Sequence, residues 1–181
     1  MRVGILDIGG NTASIWYALE RLGHKAAVVK SVKCQDALVI PGQGRFDIAV
    51  KKLTGKMREE ISTFRGPVIG ICLGMQLLFA ASAEGEGAGL GVFSGKLHKL
   101  PVSVVVPHIG WSKCSDNEYY YFAHSYYVPA NGQGFKRLVC RYNEVDLVAS
   151  CQKGNFVGCQ FHPEKSSKAG HRFLEQCLSS A

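Results

Sequence analysis

Apolar and polar positions change along the first half of the chain in a regular order. Residues 3–6 form a short unbroken apolar run, as a strand covered on both faces requires. Over residues 11–22 the period becomes helical, with Ile15, Leu19 and Leu22 on one stripe, Asn11 as candidate cap and Gly23 as the stop. Two more apolar runs follow at 26–29 and 37–40, then helical patterns over 46–53 and 57–64 around Gly55. Residues 67–71 are predicted as a strand and 73–82 as a helix. Strands separated by helices predict an α/β fold: an open, mostly parallel sheet with helices on both faces.

The second half reads differently. Residues 84–91, Glu-Gly-Glu-Gly-Ala-Gly-Leu-Gly, form a glycine-rich loop. It lacks a following Lys-Ser/Thr and precedes a strand rather than a helix, so it does not read as a phosphate cradle. Strands are predicted at 102–106, 119–128, 135–140, 147–151 and 156–161, which adds a small antiparallel portion. A closing helix is predicted over 167–178. With 181 residues, no linker-like stretch and no internal repeat, the chain is expected to be a single domain, residues 1–181.

Residues 66–83 carry no charge over 18 positions, the lower limit for a membrane span. Gly66, Pro67, Gly70, Gly74 and Gln76 divide the stretch, which fits a strand, a turn and a helix in a soluble core. Hydrophobic residues at 46% and charged residues at 19% exclude a disordered chain. The net charge of +7 is scattered, with no basic run longer than a pair such as Lys51-Lys52. It implies a positive surface suited to an acidic partner or anionic substrate, not a nucleic-acid binder. The seven cysteines are odd in number, without Cys-x-x-Cys spacing, and Met1-Arg2 leads directly into an apolar run rather than a signal peptide. The expectation is a reducing cytoplasmic setting, most cysteines being small buried hydrophobes, with no metal, cofactor or membrane contact.

The sharpest chemical signal is Gly70-Ile71-Cys72-Leu73-Gly74-Met75-Gln76. A cysteine between two glycines at a strand-to-helix junction has the pattern of a nucleophile elbow, where flanking glycines make room for a strained turn. A nucleophile needs a base and a group to orient it. His162 ends the last predicted strand, and Glu164 follows two residues on across Pro163; in extended chain both would point the same way. Parallel sheets gather ligands at the carboxyl ends of their strands, and Cys72 and His162 both fall there. Pro41-Gly42-Gln43-Gly44 follows a strand in the same way and, with the N–H of Leu73, could supply donors to a developing oxyanion.

These motifs, with Pro41-Gly42-Gln43-Gly44-Arg45-Phe46, Gly89-Leu90-Gly91, Pro107-His108-Ile109-Gly110-Trp111 and Tyr121-Phe122-Ala123-His124-Ser125-Tyr126-Tyr127, occur in order from residue 3 to about residue 166. The set resembles the class I (triad) glutamine amidotransferases, and within them the glutaminase subunits of imidazole glycerol phosphate synthase. The resemblance implies a flavodoxin-like sheet, Cys72 as nucleophile, His162 as acid/base and Glu164 as its orienting carboxylate. It further implies that Gln76, Ser125 and Tyr126 hold glutamine, that Gly42, Gln43, Gly44 and Leu73 serve the oxyanion, and that no cofactor is used. Asn11, His108, Trp111 and Lys165 are placed near a partner, a barrel cyclase subunit forming a heterodimer. The sequence departs from the family in a first loop, Asp7-Ile8-Gly9-Gly10-Asn11, that is one residue short, and in a short connection from Trp111 to Tyr119. Both lie near the expected docking side, so other readings stay open: the same chemistry feeding a sugar acceptor, a stand-alone γ-glutamyl hydrolase, or a non-catalytic module.

Overall fold

The computed structural model describes residues 1–131 and 135–179, with the backbone alone described at Lys136. Its elements run β1 (Arg2–Leu6), α1 (Thr12–Arg21), β2 (Lys25–Val29), β3 (Ala37–Ile40), α2 (Phe46–Lys52), α3 (Gly55–Ser62), β4 (Val68–Ile71), α4 (Leu73–Leu78), β5 (Phe79–Ser82) and β6 (Phe93–Lys99). There follow β7 (His108–Lys113), β8 (Tyr119–His124), β9 (Tyr126–Tyr127), β10 (Lys136–Tyr142), β11 (Val145–Lys153), β12 (Phe156–Cys159), a 3-10 turn over Pro163–Lys165, and α5 (Ser167–Ser179).

Among the described residues the main sheet has seven strands in the order β10-β11-β12-β4-β3-β1-β2. The pairs from β12 to β2 are parallel, and β11 and β10 add an antiparallel edge. Each central strand feeds two cores by alternation. Val3, Ile5, Ala37 and Val39 pack toward Ile15 and Leu19 of α1 and Leu174 and Leu178 of α5. Leu6, Leu38 and Ile40 pack on the other side, with Phe46 of α2, Ile61 of α3 and Leu73 and Leu77 of α4. Helices therefore cover both faces, as the unbroken apolar runs require. Asn11 caps α1 by accepting the Ser14 N–H at 3.3 Å, and Gly23 takes the left-handed conformation just beyond its end.

The structure corrects several sequence expectations. The helix predicted over 73–82 stops at Leu78, because Phe79–Ser82 pairs in parallel with β6 and Phe79 packs on Phe93. Residues 102–106 form no strand; they lie between Pro101 and Pro107, with Val102 and Val105 exposed and Val104 packed beside Leu100 and Val145. The long strand over 119–128 breaks at Ser125 into β8 and β9, and β7, which was not foreseen, pairs with β8 as a separate two-stranded layer. Among the described residues no helix is long and apolar enough to cross a membrane.

Candidate active site

Strands β4 and β12 are parallel neighbours in register, Ile71 beside Cys159, and the Cys72 N–H donates to the Cys159 carbonyl at 2.7 Å. The residues just past their carboxyl ends are thus brought to one rim. Cys72 sits at φ +50°, ψ −106°, a conformation that costs a non-glycine residue about 1–3 kcal/mol. The flanking glycines serve close packing. A Cβ on Gly74 would lie 1.8 Å from the Ile40 carbonyl oxygen, and one on Gly70 would lie 2.7 Å from the backbone of Gly74. The ends of β3 and β4 and the first turn of α4 therefore interlock, and the strained turn has no room to relax.

The sulfur is 3.6 Å from Nε2 of Gln160, which donates to it, and 3.8 Å from the Ala123 carbonyl, to which the thiol can donate. His162 Nδ1 is 2.9 Å from Glu164 Oε1, with side chains only 6% and 2% exposed. Burial opposes the charge on His162, but the influence of the Cys72 sulfur and of the Glu164 carboxylate outweighs it and raises the imidazole pKa to about 10. With Nδ1 committed to Glu164, Nε2 is the nitrogen left for the sulfur. The sequence placed these two residues on extended chain; the structure instead makes the contact through the 3-10 turn that begins at Pro163. That turn is anchored to β8. The His162 N–H donates to the Tyr121 carbonyl at 2.8 Å, while the buried Ser166 hydroxyl donates to the His162 carbonyl at 2.6 Å and accepts the Tyr121 N–H at 2.9 Å. Gly170 of α5 lies beneath it, where a Cβ would be 2.0 Å from the Pro163 carbonyl oxygen.

Beside Cys72 opens a cavity of about 270 Å³ lined by Gln43, Gly44, Cys72, Leu73, Gln76, Glu84, Pro107, Ile109, Ala123, His124, Ser125 and Tyr126. Six residues expected at the substrate or oxyanion site, Gln43, Gly44, Leu73, Gln76, Ser125 and Tyr126, meet there. Gly42 stands behind them against the first turn of α4, where a Cβ would be 2.5 Å from the Leu73 nitrogen. Gln76 is buried and its Nε2 lies 3.3 Å from both the Tyr126 carbonyl and Gln160 Oε1. Glu84 Oε2 accepts the Phe46 N–H at 2.7 Å. Among the described residues no three His, Cys, Asp or Glu side chains converge as a metal site.

Glu84, Gln160 and Ser166 had no assigned role in the sequence reading. Glu84 opens the glycine-rich stretch, and Gln160 and Ser166 flank the histidine motif, so each adjoins a local signal without being part of one. Of the expected partner-facing residues, Asn11 and Lys165 line a smaller cleft with Gly42, His162 and Glu164. Trp111 is about half exposed and meets the edge of Tyr121, over whose ring Lys165 Nζ lies at 5.8 Å. His108 is a correction: it is 1% exposed and stacked on Tyr142 and Phe122 at 3.9 and 4.7 Å, so it offers no surface to a partner.

The comparisons with known proteins agree with this geometry. The family model "Glutamine amidotransferase class-I" matches residues 5–181. The imidazole glycerol phosphate synthase subunit HisH of Caldanaerobacter subterraneus subsp. tengcongensis is 40% identical, covering 96% of this chain and 95% of that protein. The subunit of the same name from Archaeoglobus fulgidus is 37% identical, covering 98% of each. A crystal structure titled as a glutamine amidotransferase superposes with a TM-score of 0.79 over 99% of both chains, at 20% identity, which speaks to the fold. The chain belongs to the class-I glutamine amidotransferase family, on the branch of these HisH relatives.

Proposed function

We propose that the chain is the glutaminase subunit of an imidazole glycerol phosphate synthase. The observation that carries this reading is the meeting of Cys72 with the His162–Glu164 pair beside a cavity walled by Gln76, Glu84, Ser125 and Tyr126. Glutamine enters with its side-chain amide over Cys72. The sulfur attacks the amide carbon, and the oxyanion that forms is met by the Leu73 N–H and the backbone of Gly42, Gln43 and Gly44. His162 delivers its proton to the departing nitrogen, leaving a glutamyl thioester and ammonia. A water molecule, deprotonated by His162, then releases glutamate and the free thiol. Glu164 holds the imidazole by Nδ1 throughout, so that Nε2 faces the sulfur.

The ammonia is consumed by a (β/α)₈-barrel cyclase bound as a heterodimer over the rim that carries Asn11, Trp111 and Lys165, in the cytoplasm. There it converts a phosphoribulosyl-formimino carboxamide ribonucleotide to imidazole glycerol phosphate and an aminoimidazole carboxamide ribotide. The test supplies glutamine labelled with ¹⁵N in the side-chain amide to the chain with its barrel partner and the ribonucleotide. Label is expected in the imidazole product, in step with glutamate release. Glutamate release with no label in that product would assign the chain to another acceptor. Turnover of glutamine is expected to rise tenfold or more on adding partner and acceptor. The Gly42–Gly44 loop, with Gly44 at φ +118°, can reorient its peptide planes, and tenfold needs only about 1.4 kcal/mol of differential binding.

Glu84 suits the α-ammonium of the substrate, since its carboxylate lines the cavity with one oxygen engaged by the Phe46 N–H. Glu84→Gln keeps that acceptor and removes only the charge. A charge-assisted hydrogen bond is worth about 1.5–3 kcal/mol, so KM for glutamine is expected to rise roughly ten- to a hundredfold with little change in kcat. Unchanged KM in steady-state glutaminase assays would take Glu84 out of the binding site.

A further inference from the structure

The glutaminase steps leave two buried histidines unused, and their hydrogen bonds form a chain with one consistent direction. His124 Nδ1 is 2.9 Å from the Tyr126 carbonyl, which can only accept, so Nδ1 carries the proton. Both rings are held neutral by burial, His124 pushed down to about 3 and His108 to about 4. In neutral His124 the other nitrogen, Nε2, is an acceptor, and His108 Nδ1 lies 3.0 Å from it and must donate. His108 Nε2 in turn accepts the Ser112 hydroxyl at 2.8 Å. The chain thus runs from Ser112 through both rings to a carbonyl in the wall of the glutamine cavity. That same carbonyl accepts from Gln76 Nε2 at 3.3 Å.

We propose that His108 is a positioning residue for glutamine binding: its Nδ1–H holds His124 in the one tautomer and orientation that pins the Tyr126 carbonyl in the cavity wall. The inference rests on the glutaminase reading of that cavity. An ordinary pair of core histidines would end its hydrogen bonds on structural groups. Here the chain ends where β8 gives way to β9, at the segment 124–126 that lines the cavity. The His108 ring is stacked against Phe122 and Tyr142 and cannot swing away, so it is a fixed donor. Without it, His124 Nε2 is a buried acceptor lacking its partner, and the ring turns or draws in water.

The test compares glutaminase kinetics of His108→Phe, His108→Asn, His124→Leu and the His108→Phe/His124→Leu double variant, each in complex with the barrel partner. Phe keeps the stacking and removes the donor, so KM for glutamine is expected to rise about tenfold with kcat changed less than twofold. Asn places its amide N–H near the Nδ1 position and is expected to restore KM to within threefold of the parent. In the His124→Leu background the Phe change is expected to add nothing. A fall in kcat at constant KM, failure of Asn to rescue, or additive effects in the double variant would overturn the proposal. Imidazole ¹⁵N shifts of the unmodified chain test it without any variant: both rings are expected as neutral Nδ1–H tautomers, and an Nε2–H or charged His124 overturns it. Failure of the glutaminase reading would appear separately, as absence of glutamate release by the unmodified complex.

Discussion

Cys72→Ala is expected to abolish glutamine-dependent turnover, by at least about four orders of magnitude, while synthesis driven by added ammonia continues in the partner. Loss of a covalent nucleophile removes the step that splits amide hydrolysis into two accessible halves, and costs of about 10⁴–10⁶ are the rule for such residues. No other cysteine is placed to substitute. Among the described residues, Cys72 is the cysteine that lines the cavity, whereas Cys151, Cys159 and Cys177 are buried and desolvation raises all three thiols. Cys114 and Cys140 face each other across an isolated bridge, and Cys34 is exposed. Cys159→Ala is the informative control. Cys159 supports Cys72 through its backbone carbonyl, a contact that side-chain removal leaves in place, so near-parental glutamate release is expected. Activity lost with Cys159 and retained without Cys72 would overturn the assignment of the nucleophile.

What the sequence disclosed, and what it withheld, follows from the range of the interactions. Strands β1, β3 and β4 were legible because they are covered on both faces, and unbroken apolar runs such as Ala37–Ile40 have few other uses. β6 was not, since burying Phe93 and Leu97 among exposed polar positions leaves almost no periodic signal. The end of α4 was misplaced because Phe79 is as acceptable in a helix as in a strand, and its pairing with Phe93, 14 residues on, decides. Cys72 could be read locally because the glycines that make its turn possible adjoin it. Glu84 and Gln160 could not, because their roles arise from partners 38 and 88 residues away. His108 was misread for a related reason. The resemblance places it beside Trp111 on the partner side, but alternate strand positions face opposite ways: Ile109 and Trp111 are exposed, and His108 belongs to the inner face of β7.

Glu164→Gln isolates what a carboxylate adds to a histidine already in position. Gln can present an oxygen to His162 Nδ1 at nearly the same place, so the 3-10 turn and its Ser166 anchor are expected to persist and only the charge is lost. The site is nearly closed to water, with the Glu164 side chain 2% exposed, so solvent screens that charge poorly. Burial pushes the imidazole toward the neutral form; Cys72 and Glu164 together reverse the direction. Without that charge His162 holds its proton less firmly, and the imidazolium that protonates the departing nitrogen, and forms again as water attacks the thioester, loses its counter-charge. The expected fall in kcat is about a hundred- to a thousandfold, or about 2.7–4.1 kcal/mol at roughly 1.4 kcal/mol per decade. KM is expected to stay within about threefold, because Glu164 does not line the glutamine cavity. A second measurement separates charge from geometry. His162 titrates near 10 in the folded chain against an ordinary 6.5, so its contribution to stability is complete below about 6.5 and is lost as pH rises through about 10. Between pH 7 and 10 the parent Tm is therefore expected to fall more steeply than that of Glu164→Gln, in which the raised value has lost one of its two supports. Parallel Tm profiles together with unchanged kcat would reduce Glu164 to a bystander and leave Cys72 and His162 to act as a pair.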